Sequence, residues 1–294
     1  MKLSGKQEEL DGEKNRLLTE EGQLPSPPAV FTGTRLRWPF ERRGRPFVVR
    51  AVEPRDYMPV DHAELFNSVM TDLLSPAAVV IDGFTPPVSP VEQSRFDLIT
   101  FPEAFVPAAT LASALPVFTR VGPSGCIHVG LRPSHTGSHL FSLDEVHALV
   151  CSLTGISYRA DEDLAPFVGW LAKQRSGQRF NIGCLFAVDS DAELRICLHP
   201  KLVRSQFETN PLPELHMTEA DMLTIVTLEP VDKQYMTISI QPLICSDALK
   251  LKTDRAVGGP LTAINRHAEC FEASVPDHID IVSVATCTPQ PRGR

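Results

Sequence analysis

The chain has no Cys-x-x-Cys pair, no Gly-x-Gly-x-x-Gly or Walker sequence, no apolar run long enough to span a bilayer, and no excess of basic residues. Each absence removes a class of function. Without a glycine-rich phosphate loop, nothing points to a nucleotide, and no cofactor is expected. A membrane helix needs about 20 consecutive apolar residues, so no membrane partner is expected. Lys and Arg number 28 against 36 Asp and Glu, a net charge of −8, which argues against a general grip on nucleic acid. Arg35, Arg37, Arg42, Arg43 and Arg45 cluster, but they sit among prolines and aromatics and read as a solvated loop. The seven cysteines, at 126, 151, 184, 197, 245, 270 and 287, are odd in number and mostly lie in apolar runs. They read as small buried hydrophobes of a reducing compartment. Met1 to Glu21 is charged and lacks the apolar core of a secretory leader, so the cytoplasm is the expected location. His135, His139 and His147 stand among Ser, Thr and Gly with no Cys or carboxylate at ligand spacing, so no metal is expected.

What is present is ordinary globular material. Hydrophobic residues are 43% and charged residues 22% of 294, enough for one large domain or two small ones. Residues 1–22 read as a charged tail or short helix, and 23–45, rich in proline, as a linker. The ordered domain is expected over 46–294. Its first strand is expected at 46–52. Asp61 and Glu64 then form a capping box ahead of an apolar stripe through Leu74. Strands are expected at 97–100, 127–131, 180–189, 193–198, 223–228, 235–244 and 279–285. Ser142 and Glu145 make a second capping box for a helix through Leu153, and 161–174 reads as another helix. Strands alternating with helices argue α/β.

Three short stretches carry chemistry: Phe101-Pro-Glu103, His199-Pro-Lys201 and Ile244-Cys-Ser-Asp247. Each ends or follows an expected strand, so a carboxylate, an ammonium and a thiol are delivered at strand ends. Amide carbons are poor electrophiles. A thiol that forms a covalent thioester divides their hydrolysis into easier steps, but at its ordinary pKa of about 8.5 it needs a base or a positive field. Glu103 supplies a base for Cys245. Lys201 supplies a fixed charge where an oxyanion develops. A buried Lys201 needs carboxylate partners to stay charged, and Glu103 and Glu208 are the candidates.

In order and setting these stretches resemble the Glu–Lys–Cys triad of the nitrilase superfamily, the carbon–nitrogen hydrolases. The matching features are Leu98-Ile-Thr-Phe-Pro-Glu103, the early Asn181 before the strand pair ending at Lys201, Glu208 beyond the lysine, and Cys245-Ser-Asp247. They span about residues 46–285. The resemblance implies a nitrilase-like αββα sandwich and a small amide-like substrate. It implies catalysis by Glu103, Lys201 and Cys245, with Glu208 supporting, Asp247 orienting the elbow and the Ser246 N–H as oxyanion donor. It implies amidase or carbamoylase chemistry rather than nitrile hydrolysis, because Ser-Asp follows Cys245 where that branch has Trp-Glu. Acyl transfer uses the same triad, and an inactive accessory or binding domain of a larger protein is a further alternative. Two departures from the family pattern shape the expectations. Residues 134–178 read as a helical insertion. The chain also runs only to Arg294, short of the family's usual C-terminal part. An apolar face is therefore expected near 279–285, covered in a homo-oligomer or by a fused or partner domain.

Overall fold

The computed structural model describes residues 32–41, 47–51, 97–121, 125–134, 138–205, 208, 212, 215–248 and 279–286. All fall in a unit spanning 31–294. The expected helix with its capping box at Asp61 and Glu64, and His135, lie outside the described residues.

One sheet is built around Ile182–Val188 (β8), whose residues are all buried. A strand buried on both faces reads as a continuous apolar run. Its neighbours are Leu194–Pro200 (β9) on one side and Cys126–Arg132 (β5) on the other, both antiparallel to it. Beyond β5, Leu98–Thr100 (β3) and then Val49–Ala51 (β2) add in parallel, and Val106–Pro107 (β4) also pairs with β5. The second sheet runs Thr32–Phe40 (β1), Met222–Pro230 (β10), Ile238–Ile244 (β11) and Ile281–Ala285 (β12). In it β1 lies parallel to β10, β10 antiparallel to β11, and β11 parallel to β12. A two-stranded ribbon joins Phe141–Ser142 (β6) and Arg179–Phe180 (β7).

The sheets pack face to face, with β9 against β10, β8 against β11, and β12 against β5 and β3. Leu98, Cys126, Leu185 and Cys197 of the first sheet meet Trp38, Val226, Leu228 and Ile240 of the second. The alternate residues of the first sheet, among them Ile99, Ile127, Phe186 and Ile196, face the other way, into a core shared with the helices. Those helices are Ala108–Val121 (α1), Leu143–Leu153 (α2) and Tyr158–Leu171 (α3). The order helix, sheet, sheet makes a mixed α/β protein. None of the described helices is long and apolar enough to cross a membrane.

Three elements differ from expectation. Residues 32–40 lie in the stretch expected as linker, yet they form a nine-residue strand. Leu36, Trp38 and Phe40 alternate into the core, and Pro39 is tolerated because β1 is an edge strand among the described residues. The first strand of the other sheet is shortened to Val49–Ala51. Helix α1 has no expected counterpart, since Pro107 and Pro116 obscure its pattern; Leu111 and Leu115 bury its inner face. The capping box at α2 is formed: Ser142 Oγ accepts the Glu145 N–H, and Glu145 Oε2 accepts the Ser142 N–H at 2.7 Å. Helices α2 and α3, within the segment expected as an insertion, supply core residues such as Leu149, Leu153, Leu164 and Phe167. Near 279–285, Val282 is exposed, while Ile281 and Val284 are half-buried.

Candidate functional site

Glu103 sits in the turn after β3. That turn wraps around Gly130 of β5: Gly130 N–H donates to Pro102 O, and Phe105 N–H donates to Gly130 O. A Cβ at Gly130 would stand 2.4 Å from Glu103 Cα, so no larger residue fits beside the turn. Lys201 follows β9, and its N–H donates to Asn181 O at 2.8 Å. The two side chains meet, with Lys201 Nζ 2.7 Å from Glu103 Oε1 and 2.7 Å from Glu208 Oε2. Asn181 Nδ2 donates to both carboxylates, at 2.7 Å to Glu103 and 2.8 Å to Glu208. The Ser205 N–H donates to Glu208 Oε2 at 2.8 Å. All of these side chains are buried.

Burial opposes the charge on Lys201, but Glu208, Glu103 and Asp247 outweigh it and hold the ammonium's pKa above its ordinary value. Burial likewise opposes ionisation of Glu208. His139, Lys201 and Asn181 overcome that and bring its pKa down to about 2. His139 Nε2 lies 3.8 Å from Glu208 Oε1, at the edge of the cluster. The ammonium has three N–H donors. Two engage the glutamates, and the third can meet an oxyanion.

Cys245 opens a one-turn 3₁₀ helix, Cys245–Ala248, at the end of β11. Its φ is +42°, in the left-handed region that side chains rarely occupy. Strain of this kind persists where surrounding bonds over-determine it. Here Asp247 does so. Its Oδ2 accepts the Ile244 N–H at 3.1 Å, and its Oδ1 accepts the N–H groups of Leu202 at 2.9 Å and Val203 at 2.7 Å. Ser246 Oγ donates to Val203 O. Burial pushes the Asp247 carboxyl up to about 7, against the pull of Lys201 and of its backbone donors.

The elbow is thus bound to the two residues that follow Lys201. On its other side Ile244 pairs with Ala285, and the next carbonyl, of Thr286, accepts the Glu103 N–H at 3.3 Å. Hydrogen bonds at the Asp247 carboxylate and at the Thr286 carbonyl therefore tie the elbow to the segments carrying Lys201 and Glu103. The other described cysteines differ from it. Burial pushes the thiol pKa of Cys126 up to about 12 and raises those of Cys184 and Cys197 as well. Cys151 is exposed on α2, and Cys245 is half-buried. Among the described residues no group of His, Cys, Asp and Glu is arranged to hold a metal ion.

Sequence reasoning missed Asn181 as the bridge between the glutamates and Gly130 as the support of the Glu103 turn. A glycine inside an apolar strand was the available signal for the latter. No family model, curated protein or solved structure matches this chain.

Proposed function

We propose that the chain hydrolyses a non-peptide C–N bond of a small amide-like substrate through Glu103, Lys201 and Cys245, on a nitrilase-like αββα scaffold. One observation carries the reading: a buried Glu103–Lys201–Glu208 cluster whose segments are hydrogen-bonded to a strained cysteine elbow. A structural ion cluster needs no cysteine held at positive φ on an elbow tied to its segments. Among the described residues, two stacked sheets with helices outside one of them support three of the four layers of that sandwich.

Cys245 Sγ adds to the carbonyl carbon as its proton passes to Glu103. The oxyanion meets the remaining Lys201 donor and the Ser246 N–H. When the C–N bond breaks, Glu103 gives its proton to the leaving amine and a thioester remains. Water then adds to the thioester, giving a proton to Glu103. The C–S bond breaks, the acid leaves, and the proton returns to the thiol. Asp247 holds the elbow and Glu208 holds the ammonium. Neither exchanges a proton with substrate.

The test is competitive alkylation. Under limiting iodoacetamide, mass spectrometry should find Cys245 modified ahead of the six other cysteines, and a panel of primary amides and N-carbamoyl compounds should include one that is turned over. Labelling of Cys245 no faster than exposed Cys151 would end this reading.

A further inference from the structure

Between the sheets, just before the site on four strands, runs a chain of polar side chains that the reaction above does not use. The hydroxyls of Thr100 on β3 and Ser283 on β12 lie 2.8 Å apart. Ser283 Oγ lies 2.8 Å from His128 Nδ1 on β5. His128 Nε2 lies 3.0 Å from His199 Nε2 on β9. All four residues are buried, and the same interface holds Leu98, Cys126, Leu185 and Cys197. Polar groups in such a layer cost desolvation unless every member is bonded, whereas apolar side chains would fill it without that cost.

The bonds are directional. A neutral imidazole carries one N–H, so one Nε2 donates and the other accepts. If His199 donates, the His128 proton is on Nδ1 and goes to Ser283, whose hydroxyl donates to Thr100. In the reverse sense Thr100 donates to Ser283, Ser283 to His128, and His128 to His199. Either way the three bonds run in one direction, and loss of one leaves a buried neighbour without its partner. The intervening strand β8 is shaped for this contact. Gly183 pairs with His199, and a Cβ there would stand 2.4 Å from His199 Nε2.

Each member lies two or three residues before a site group. Thr100 precedes Glu103, and His199 precedes Lys201. His128 precedes Gly130, which supports the Glu103 turn. Ser283 precedes Ala285, the partner of Ile244, and Thr286, whose carbonyl holds the Glu103 N–H. Three members belong to the sheet that bears Glu103 and Lys201, and the crossing to the sheet that bears Cys245 is made at Ser283. We propose that this relay is a positioning device: it fixes β12, and through it the β11 elbow with Cys245, against the Glu103–Lys201 pair. The inference rests on the Glu–Lys–Cys reading of the site.

The test follows the pH profile of iodoacetamide alkylation at Cys245 by mass spectrometry, with Cys151 as internal reference and urea titration defining buffers in which each variant is folded. Ser283→Ala should slow Cys245 roughly tenfold and move its profile toward that of Cys151, leaving Cys151 unchanged. A merely structural role would lower the urea midpoint and leave the Cys245 profile of the folded protein as it was. His199→Leu should act like Ser283→Ala, whereas His199→Gln, whose amide reaches the Nε2 position, should restore most of the rate. Folded variants that all keep the wild-type profile overturn the positioning role and leave the Glu–Lys–Cys reading standing. A wild-type Cys245 no faster than Cys151 overturns that reading and this inference with it. If Ser283→Ala does not fold, the His199 pair decides: Gln faster than Leu supports the relay, and equal rates overturn it.

Discussion

At the scale of single residues, the buried ammonium of Lys201 sets the terms for its neighbours. It faces Glu103 and Glu208 at 2.7 Å each, with Asn181 bridging the two carboxylates. Lys201→Ala leaves two carboxylates buried without their counter-charge and should cost about 3–5 kcal/mol in urea unfolding, as breaking one side of a buried pair does. The same change should remove turnover. Glu103→Gln keeps the shape and an acceptor for Asn181 but not the base, so turnover on any amide substrate found should fall by roughly 10²–10⁴ with the fold retained. Cys245→Ala should abolish turnover and covalent labelling together, and it relieves little strain because alanine at φ +42° is also disfavoured. A Glu103→Gln protein that turns over at the wild-type rate would remove the base from the mechanism. The residues of this cluster were legible in the sequence only because three short motifs occur together in one order; a single Glu or Lys at a strand end is ordinary. Asn181 was not assigned a part, since an asparagine before a strand is common and its bridge exists only once Glu103 and Glu208, far apart in the chain, are brought together.

At the scale of elements, placement depends on close approaches that only glycine or a specific ion pair permits. Gly130→Ala would set a Cβ 2.4 Å from Glu103 Cα, where the obstacle is backbone and cannot swing aside. The turn bearing the carboxylate must shift, so Gly130→Ala should lose turnover to a degree its stability loss does not explain, a comparison made by measuring both in one buffer. Helix α3 is tied to both sheets by Arg195. Its Nε and Nη2 donate to Asp163 at 2.8 and 2.7 Å, Nη1 reaches Asp189 at 3.5 Å, and Nη2 also reaches Arg37 O at 3.3 Å. Arg195→Ala leaves Asp163 and Asp189 buried without the guanidinium, and the urea midpoint should fall by the equivalent of about 3–5 kcal/mol with Glu103 and Lys201 chemistry unaltered. A change below about 1 kcal/mol would put that pair among weak surface bridges instead. Elements themselves were read well where period or caps spoke, as at α2 and β8. The strand at 32–40 was not, because prolines around an edge strand look like those of a linker.

For the whole molecule, the buried titratable groups set how stability depends on pH. Burial lowers the His128 pKa to about 3 and that of His199 well below its ordinary value. Groups lowered on folding contribute stability that is present above their unfolded value, near 6.5, and lost as pH falls below it. Asp247, raised to about 7, acts in the opposite sense: its contribution is full below its unfolded value and is lost as pH rises through 7. Between pH 6.5 and 4.5 the unfolded chain comes to hold two imidazole protons where the folded chain holds one carboxyl proton, and stability should fall with a slope that steepens to about 1.4 kcal/mol per pH unit. Below pH 4.5, Glu208, at about 2 in the folded state, adds to the loss. Urea midpoints at pH 7.5, 5.5 and 4 check this, and a midpoint that rises on acidification from 6.5 to 5.5 would contradict it.

What the sequence determined by itself was local. Apolar runs marked the buried strands, capping boxes marked a helix start, and short polar stretches at or after those runs marked Glu103, Lys201 and Cys245, with Glu208 seven residues beyond the lysine. These are statements about neighbours within a few positions, where period and capping act. The tertiary structure decided everything that needs two distant segments to meet. It closed the Glu103–Lys201–Glu208 cluster, anchored Asp247 to Leu202 and Val203, and put Cys245 at positive φ. It also aligned His128 with His199 across Gly183. The physical reason is that a hydrogen bond or ion pair between strands depends on register and sheet stacking, which long-range packing sets and no single segment encodes.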